Sequence, residues 1–170
     1  MTGIQMILTI GAFILLMLVI VSVNSRTLST EDVMYDSNFG ITATSIASSI
    51  IEDASKLKFD DITDTLALDP KKDLNLLTAP GSLRTESSED PKNPKTWNDF
   101  DDYNGYAGTD STLHSAVFNF RCEVHYVDFD APDVNVNTRT FHKKISVWVW
   151  SKSMKDTMYQ SSVFSYWYFD

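Results

Sequence analysis

From Ile4 to Val23 the chain is apolar at nearly every position and carries no charged side chain. Twenty residues at about 1.5 Å each span roughly 30 Å, the thickness of a bilayer's hydrocarbon core. The first charge is Arg26 and the first proline is Pro70, so nothing before that obliges a helix to stop. Beyond the run the pattern turns amphipathic. Ala43, Ile46, Ala47, Ile50, Ala54 and Leu57 recur at spacings of three and four, one helical stripe, opposite Thr44, Ser48, Ser49, Asp53 and Lys56. One helix from Ile4 to Lys58 is therefore predicted, with Ile46, Ile50, Ala54 and Leu57 covered by a sheet. Gly40 falls mid-pattern, where it costs about 1 kcal/mol against alanine. It is either a tolerated weak point or a bend.

Residues 59–112 differ in character. They hold Pro70, Pro80, Pro91 and Pro94 and the polar stretch from Arg84 to Lys95. Proline excludes helix interiors and central strands, which predicts a long connection with short elements at most. Loops of this length in compact domains are usually functional or mobile. From Leu113 the period becomes two. Phe118, Phe120, Cys122, Val124 and Tyr126 alternate with Asn119, Arg121, Glu123 and His125. Phe141, Ile145, Val147 and Val149 alternate with His142, Lys144, Ser146 and Trp148, and a third strand fits Met158 to Phe169. Consecutive strands with short connections make an antiparallel meander, and the helix stripe supplies the other half of its core. The fold class is α+β. Residues 1–25 form the transmembrane half of the helix, and 26–170 form a globular domain of helix 26–58, connection 59–112 and sheet 113–170.

A cleaved signal peptide would need a basic leading region, a shorter apolar stretch and a small-x-small exit site. Only Met1, Thr2 and Gly3 precede the run, and Val21-Ser22-Val23-Asn24 is a poor exit. A retained anchor fits better. A buried core helix fits poorly as well, because a helix apolar all round leaves no polar face for solvent. The remaining residues, about 145, suffice for one domain with a real core, and 12% aromatic content excludes a disordered tail. A net charge of −9 argues against nucleic acid or anionic lipid headgroups as partners. The single cysteine, Cys122, excludes an internal disulfide and a cysteine-rich metal knuckle.

Three segments carry a resemblance to a known group. They are Ala43-Thr-Ser-Ile-Ala-Ser-Ser-Ile-Ile-Glu-Asp-Ala-Ser-Lys-Leu-Lys-Phe-Asp-Asp61, Asp99-Phe-Asp-Asp-Tyr-Asn-Gly-Tyr106, and Lys143-Lys-Ile-Ser-Val-Trp-Val149 followed by Asp156-Thr-Met-Tyr. With the helix-then-sheet layout, they resemble type IV pilins and type II secretion pseudopilins, most closely minor pilin-like subunits. The resemblance implies a filament subunit, anchored in the inner membrane with its domain on the periplasmic side before assembly. Its partners would be other pilin-like subunits, membrane lipid and the assembly machinery. It also implies prepilin-type cleavage between Gly3 and Ile4. The chain departs from that pattern at the fifth mature position, where Leu8 stands in place of glutamate, and no acidic residue occurs before Glu31. That suits a minor or tip subunit or a divergent branch. Helix packing in a filament would use Gly11 and Ala12, the small residues inside the run.

Asp99, Asp101, Asp102, Asn104 and Asp110 place five oxygen-bearing side chains within twelve residues beside Gly105. Calcium takes six to eight oxygens from such loops. The spacing departs from the EF-hand pattern, so two readings stand, a calcium loop and a solvated acidic turn with side-chain caps. No other cofactor is indicated. His114, His125 and His142 lack a third metal ligand, and exposed cross-strand histidines are expected. Cys122, among Phe120 and Val124, reads as packing rather than as a nucleophile. Neither a phosphate-binding glycine loop nor a nucleophile elbow occurs, so an enzyme is not expected. The Phe164 to Phe169 stretch has aromatic residues on both strand faces, which fits either one face in the core and the other toward solvent or a partner, or a sheet packed on both sides within the chain. The rival to a filament subunit is a single-pass anchored receptor or adhesin that never polymerises and binds ligand through residues 60–110.

Overall fold

The computed structural model describes residues 2–69, 72–111 and 116–166, with the backbone alone over 28–33. It divides into two compact units, Met1–Phe39 and Gly40–Asp170. Helix α1, Gly3–Ala54, supplies the described part of the first unit and the start of the second. It runs without interruption through 24–36 and through Gly40. Within it Gly3–Thr27 is long and apolar enough to cross a membrane, and none of that stretch is buried. At about 1.5 Å per residue those 25 residues exceed the roughly 30 Å of a hydrocarbon core.

The second unit is α+β. Its helix ends at Ala54 instead of Lys58, and the cause is local. Lys56 and Leu57 donate their amides three residues back, to Asp53 and Ala54, a tightened last turn. Lys58 then leaves the helix to pair with residues 98–100. Its amide donates to Asn98 O, its carbonyl accepts from Phe100 N at 2.8 Å, and a parallel bridge joins it to Asp99.

The buried helical stripe is Ala43, Ala47, Ile51 and Ala54, while Ile46, Ile50 and Leu57 are half-buried. That stripe is turned from the expected one. Ser48, assigned to the polar face, donates to Gln160 on the sheet at 3.2 Å. Three of the four buried positions are alanine, so burial on this face follows size rather than hydrophobicity.

The sheet has five antiparallel strands: β1 Ala107–Asp110, β2 Phe118–Val127, β3 Asn135–Val136, β4 His142–Ser151 and β5 Met158–Ser165. β4 pairs one edge of β2, from Phe118↔Ser151 to Tyr126↔Lys143, and β5 adds beyond it. β1 and β3 share the other edge of β2, opposite residues 118–121 and 126–127. The three long strands lie where the period-two pattern put them. β1 lies inside the predicted connection 59–112, which also holds helix α2, Asp61–Thr65, and four short 3-10 turns. The core face carries Phe118, Phe120, Cys122, Val124 and Tyr126 from β2, with Ile145, Val147 and Val149 from β4. Lys143 shares that face and is fully buried.

Candidate functional site

Among the described residues two features bear on function, the apolar half of α1 and a buried acidic centre in the second unit. In the apolar half, Gly11 and Ala12 sit one after the other in exposed helix, and a Cβ added at Gly11 would meet nothing within 4 Å. Gly3 is the first helical residue and Ile4 is 73% exposed.

The acidic centre is built from Asp99-Phe-Asp-Asp-Tyr-Asn-Gly-Tyr106, and almost every residue in that stretch has a structural task. Asp99 caps the 3-10 turn Phe100–Tyr103, its Oδ1 accepting from Asp101 N at 3.0 Å. Phe100 stacks on Phe164 with centroids 4.8 Å apart. Tyr103 and Tyr106 meet Trp97 edge-on at 4.7 and 4.9 Å. The Asn104 amide bridges two distant segments, donating to Leu83 O at 2.7 Å and accepting from Val124 N at 2.9 Å. Gly105 takes φ +85°, a left-handed conformation that suits glycine. The expected solvated turn is thus capped but buried, with Asp99, Asp101 and Asp102 at most 1% exposed.

Lys143 reaches this turn from β4. Its Nζ donates to Phe59 O at 2.6 Å, to Asp60 Oδ2 at 2.9 Å and to Asp101 Oδ1. The ammonium also lies 4.6 Å from the Phe59 ring centroid. Asp60 is held in turn by Thr78, whose amide and hydroxyl donate to its carboxylate at 3.0 and 3.2 Å. Lys143 therefore ties together the exit of α1, the 3-10 turn and the sheet.

Burial alone would lower the Lys143 pKa, but Asp101 and then Asp60 outweigh it and hold the ammonium charged. Asp101 is raised by burial against the pull of Lys143. Asp99 is pushed up to about 9, first by burial and then by the Asp101 charge. As a neutral acid Asp99 has a proton to donate beside the Asp101 carboxylate. Asp99 Oδ2 and Asp101 Oδ2 are both buried and meet no other donor.

Asp102 belongs to a different group. One carboxylate oxygen from each of Glu86, Glu89 and Asp102 lies within 4.8 Å of the other two. Burial, then a hydrogen bond with Glu89, pushes Glu86 up to about 8. Asp102 is pushed up to about 7 by burial, against the pull of the Asp99 amide.

The five residues of the proposed calcium loop are therefore divided among separate tasks. Asp99 and Asp101 serve Lys143, Asp102 faces Glu86 and Glu89, and Asn104 binds backbone. Asp110 lies in β1 opposite Phe118. Sequence reasoning missed Lys143, Asp60, Glu86 and Glu89. Parity was a signal for the first, since Lys143 is in step with Ile145, Val147 and Val149 on the apolar face of β4.

His125 and His142 lie on the polar face with different neighbours, Glu123 at 3.7 Å and Ser165 Oγ at 2.7 Å. His114 lies outside the described residues, as do residues 167–170 of the aromatic C-terminus. Of that stretch, Phe164 fills the core and Tyr166 accepts from Leu68 N at 2.8 Å. Cys122 is buried, and burial pushes its thiol up to about 12. Compared with known proteins, the chain matches no protein-family model, no curated protein and no solved structure.

Proposed function

We propose that this chain is a membrane-anchored, pilin-like structural subunit, a minor or divergent member of a type IV pilus-like or type II secretion-like filament. One observation carries the proposal. A single helix, Gly3–Ala54, contains both a membrane-length apolar segment and the Ala43, Ala47, Ile51 and Ala54 stripe buried in the sheet domain. Before assembly the segment resides in the inner membrane with the domain on the periplasmic side. In the filament it packs against the same segment of neighbouring pilin-like subunits, delivered by an assembly machinery. Processing between Gly3 and Ile4 belongs to the same proposal. The intact mass of protein extracted from native membranes checks it, and retention of Met1 to Gly3 would remove that step.

Lipid already satisfies the apolar surface of the helix, so subunits gain from close packing rather than from hydrophobic burial. Small residues allow that approach, and space beside Gly11 is open. Gly11→Leu keeps the segment apolar and disturbs nothing within the chain. The variant is expected to insert in membranes like wild type and to enter sheared filaments at least about tenfold less, roughly 1.4 kcal/mol of lost packing at 25 °C. Equal recovery would refute packing through this site. Wild type in membranes and in no filament fraction would refute the filament itself and favour an anchored receptor or adhesin.

A further inference from the structure

The Lys143 centre holds the parts of a condensation as well as those of an ion pair. Lys143 and Asp101 are both fully buried, and Lys143 Nζ donates to Asp101 Oδ1. A primary amine is thus fixed against a carboxyl group, with the freedom of both side chains already lost. Aromatic rings close the space around them. Those of Phe59 and Tyr126 have centroids 4.6 and 5.5 Å from Nζ, and Phe100, next to Asp101 in the chain, is fully buried against Phe164. The two oxygens of Asp101 differ. Oδ1 meets Lys143, while Oδ2 is buried and meets no donor. Beside this carboxylate stands Asp99, pushed up to about 9 and therefore protonated at neutral pH. Asp60, the other carboxylate on Lys143, is placed otherwise, because Thr78 and Lys143 occupy both of its oxygens. Of the two carboxylates, Asp101 alone has the amine on one oxygen and a bare oxygen on the other.

We propose that Lys143 and Asp101 condense after folding into an intramolecular isopeptide bond, Lys143 Nζ to Asp101 Cγ. The ion pair described above is the starting state. Burial penalises both of its charges, so a proton passing from the ammonium to Asp101 gives a neutral amine and a neutral acid at a far smaller cost than in water. The amine lone pair attacks Cγ. Asp99 gives its proton to Oδ2 and takes one back from the nitrogen, the work of a general acid and then a general base. The Nζ–Cγ bond forms and the Cγ–Oδ2 bond breaks. Oδ2 leaves as water with two of the three ammonium protons, relayed through Asp99 and Asp101, and the third stays on the amide nitrogen. Asp99 ends protonated as it began, and nothing is oxidised or reduced. Groups held in this way react as though at effective molarities of roughly 10⁵–10⁸ M. Exclusion of water from the core then protects the amide from hydrolysis. The bond ties the 3-10 turn to β4 covalently, in a chain whose single cysteine allows no internal disulfide. It does not depend on the filament reading.

The test is the mass of the full wild-type chain, purified in detergent micelles and then denatured. With any N-terminal processing allowed for, it is expected to be lighter than the sum of its residues by one water. Trypsin is expected to fail after Lys143 and to release residues 140–144 joined to 96–121 as one branched peptide. Lys143→Met and Asp101→Ala are each expected to retain the water. Asp99→Asn keeps the amine, the Asp101 carboxyl and the acceptor for Asp101 N. It is expected to fold, as tryptophan fluorescence reports, and to link at least about a hundredfold more slowly after a pulse of synthesis. A folded wild-type chain of full residue mass would overturn the proposal and leave the ion pair as the whole chemistry of this centre. So would a missing water confined to peptide 96–121, which marks a cyclic imide, or a branch from 140–144 to 59–71, which moves the bond to Asp60. Equal linking rates in Asp99→Asn and wild type would overturn the role of Asp99 as proton carrier.

Discussion

Replacing Lys143 with methionine keeps most of the apolar stem and removes one fully buried charge. The ammonium has three acceptors in the wild type, Phe59 O, Asp60 Oδ2 and Asp101 Oδ1. Its loss leaves two carboxylates in the core without their cation, and breaking a buried pair from one side costs roughly 3–5 kcal/mol. The Phe59 contact offsets little, because a thioether over a ring recovers at best what the ammonium gave, about 1 kcal/mol. Against a total stability of about 5–15 kcal/mol that is a large fraction.

The sign of the pH effect follows from Asp101. Burial raises its pKa in the wild type while Lys143 pulls it down. Without the lysine it rises further, so the folded variant takes up a proton that the unfolded chain releases above the ordinary carboxylate range. Stability present at low pH is then lost as pH climbs toward the raised value, and the deficit grows with pH. Urea unfolding of the full chain in micelles, followed by tryptophan fluorescence at pH 5.5 and 8.0 (roughly 1.5 units above the carboxylate range and well beyond it), measures both quantities. A deficit below about 1 kcal/mol at the higher pH, the worth of an exposed pair, would refute the buried-pair account. An equal deficit at both pH values would refute the role of the carboxylates.

Asp99, pushed up to about 9, is protonated when folded and ionised when unfolded across neutral pH. Its contribution is complete below the unfolded carboxylate value and is lost as pH rises to about 9, with a slope of up to roughly 1.4 kcal/mol per pH unit. Asp99→Asn, which keeps the acceptor for Asp101 N, should flatten that slope, and an unchanged slope would contradict a protonated Asp99 in the folded chain. At Gly108 an added Cβ would lie 2.7 Å from Phe120 Cζ. Gly108→Ala is therefore expected to lose about 1–3 kcal/mol in the same urea assay, and a loss within about 0.5 kcal/mol, ordinary for a surface change, would show that the ring moves aside freely.

β2 was legible because it buries one face, and burial of one face writes a period of two into the sequence. β4 keeps that period in residue type although Lys144 and Ser146, expected on its polar face, are buried as well. β1 left no such mark. Ala107-Gly-Thr-Asp110 alternates half-buried and exposed without large apolar residues, and it is a strand because the β2 edge beside it is open. The helix stripe was legible in period but not in phase, since Ala43, Ala47, Ile51 and Ala54 are buried and Ser48 bonds the sheet while Ile46 and Ile50 are half-buried.

The acidic centre shows a different limit. A run such as Asn98-Asp-Phe-Asp-Asp102 reads as solvated because charge normally seeks water. What reverses that reading is a lysine some forty residues later, placed by strand parity on the apolar face. A lysine there must find carboxylates, for a lone buried ammonium is far costlier than the fold can bear. Asp60 and Asp101 are what it finds, brought together because Lys58 pairs with the 98–100 backbone. Glu86 and Glu89 then stand beside Asp102, and among the described residues no lysine forms an ion pair with them. Nothing periodic marks those two residues. Burial, not a pattern of residues, raises Glu86 to about 8 and Asp102 to about 7, and a hydrogen bond with Glu89 adds to both.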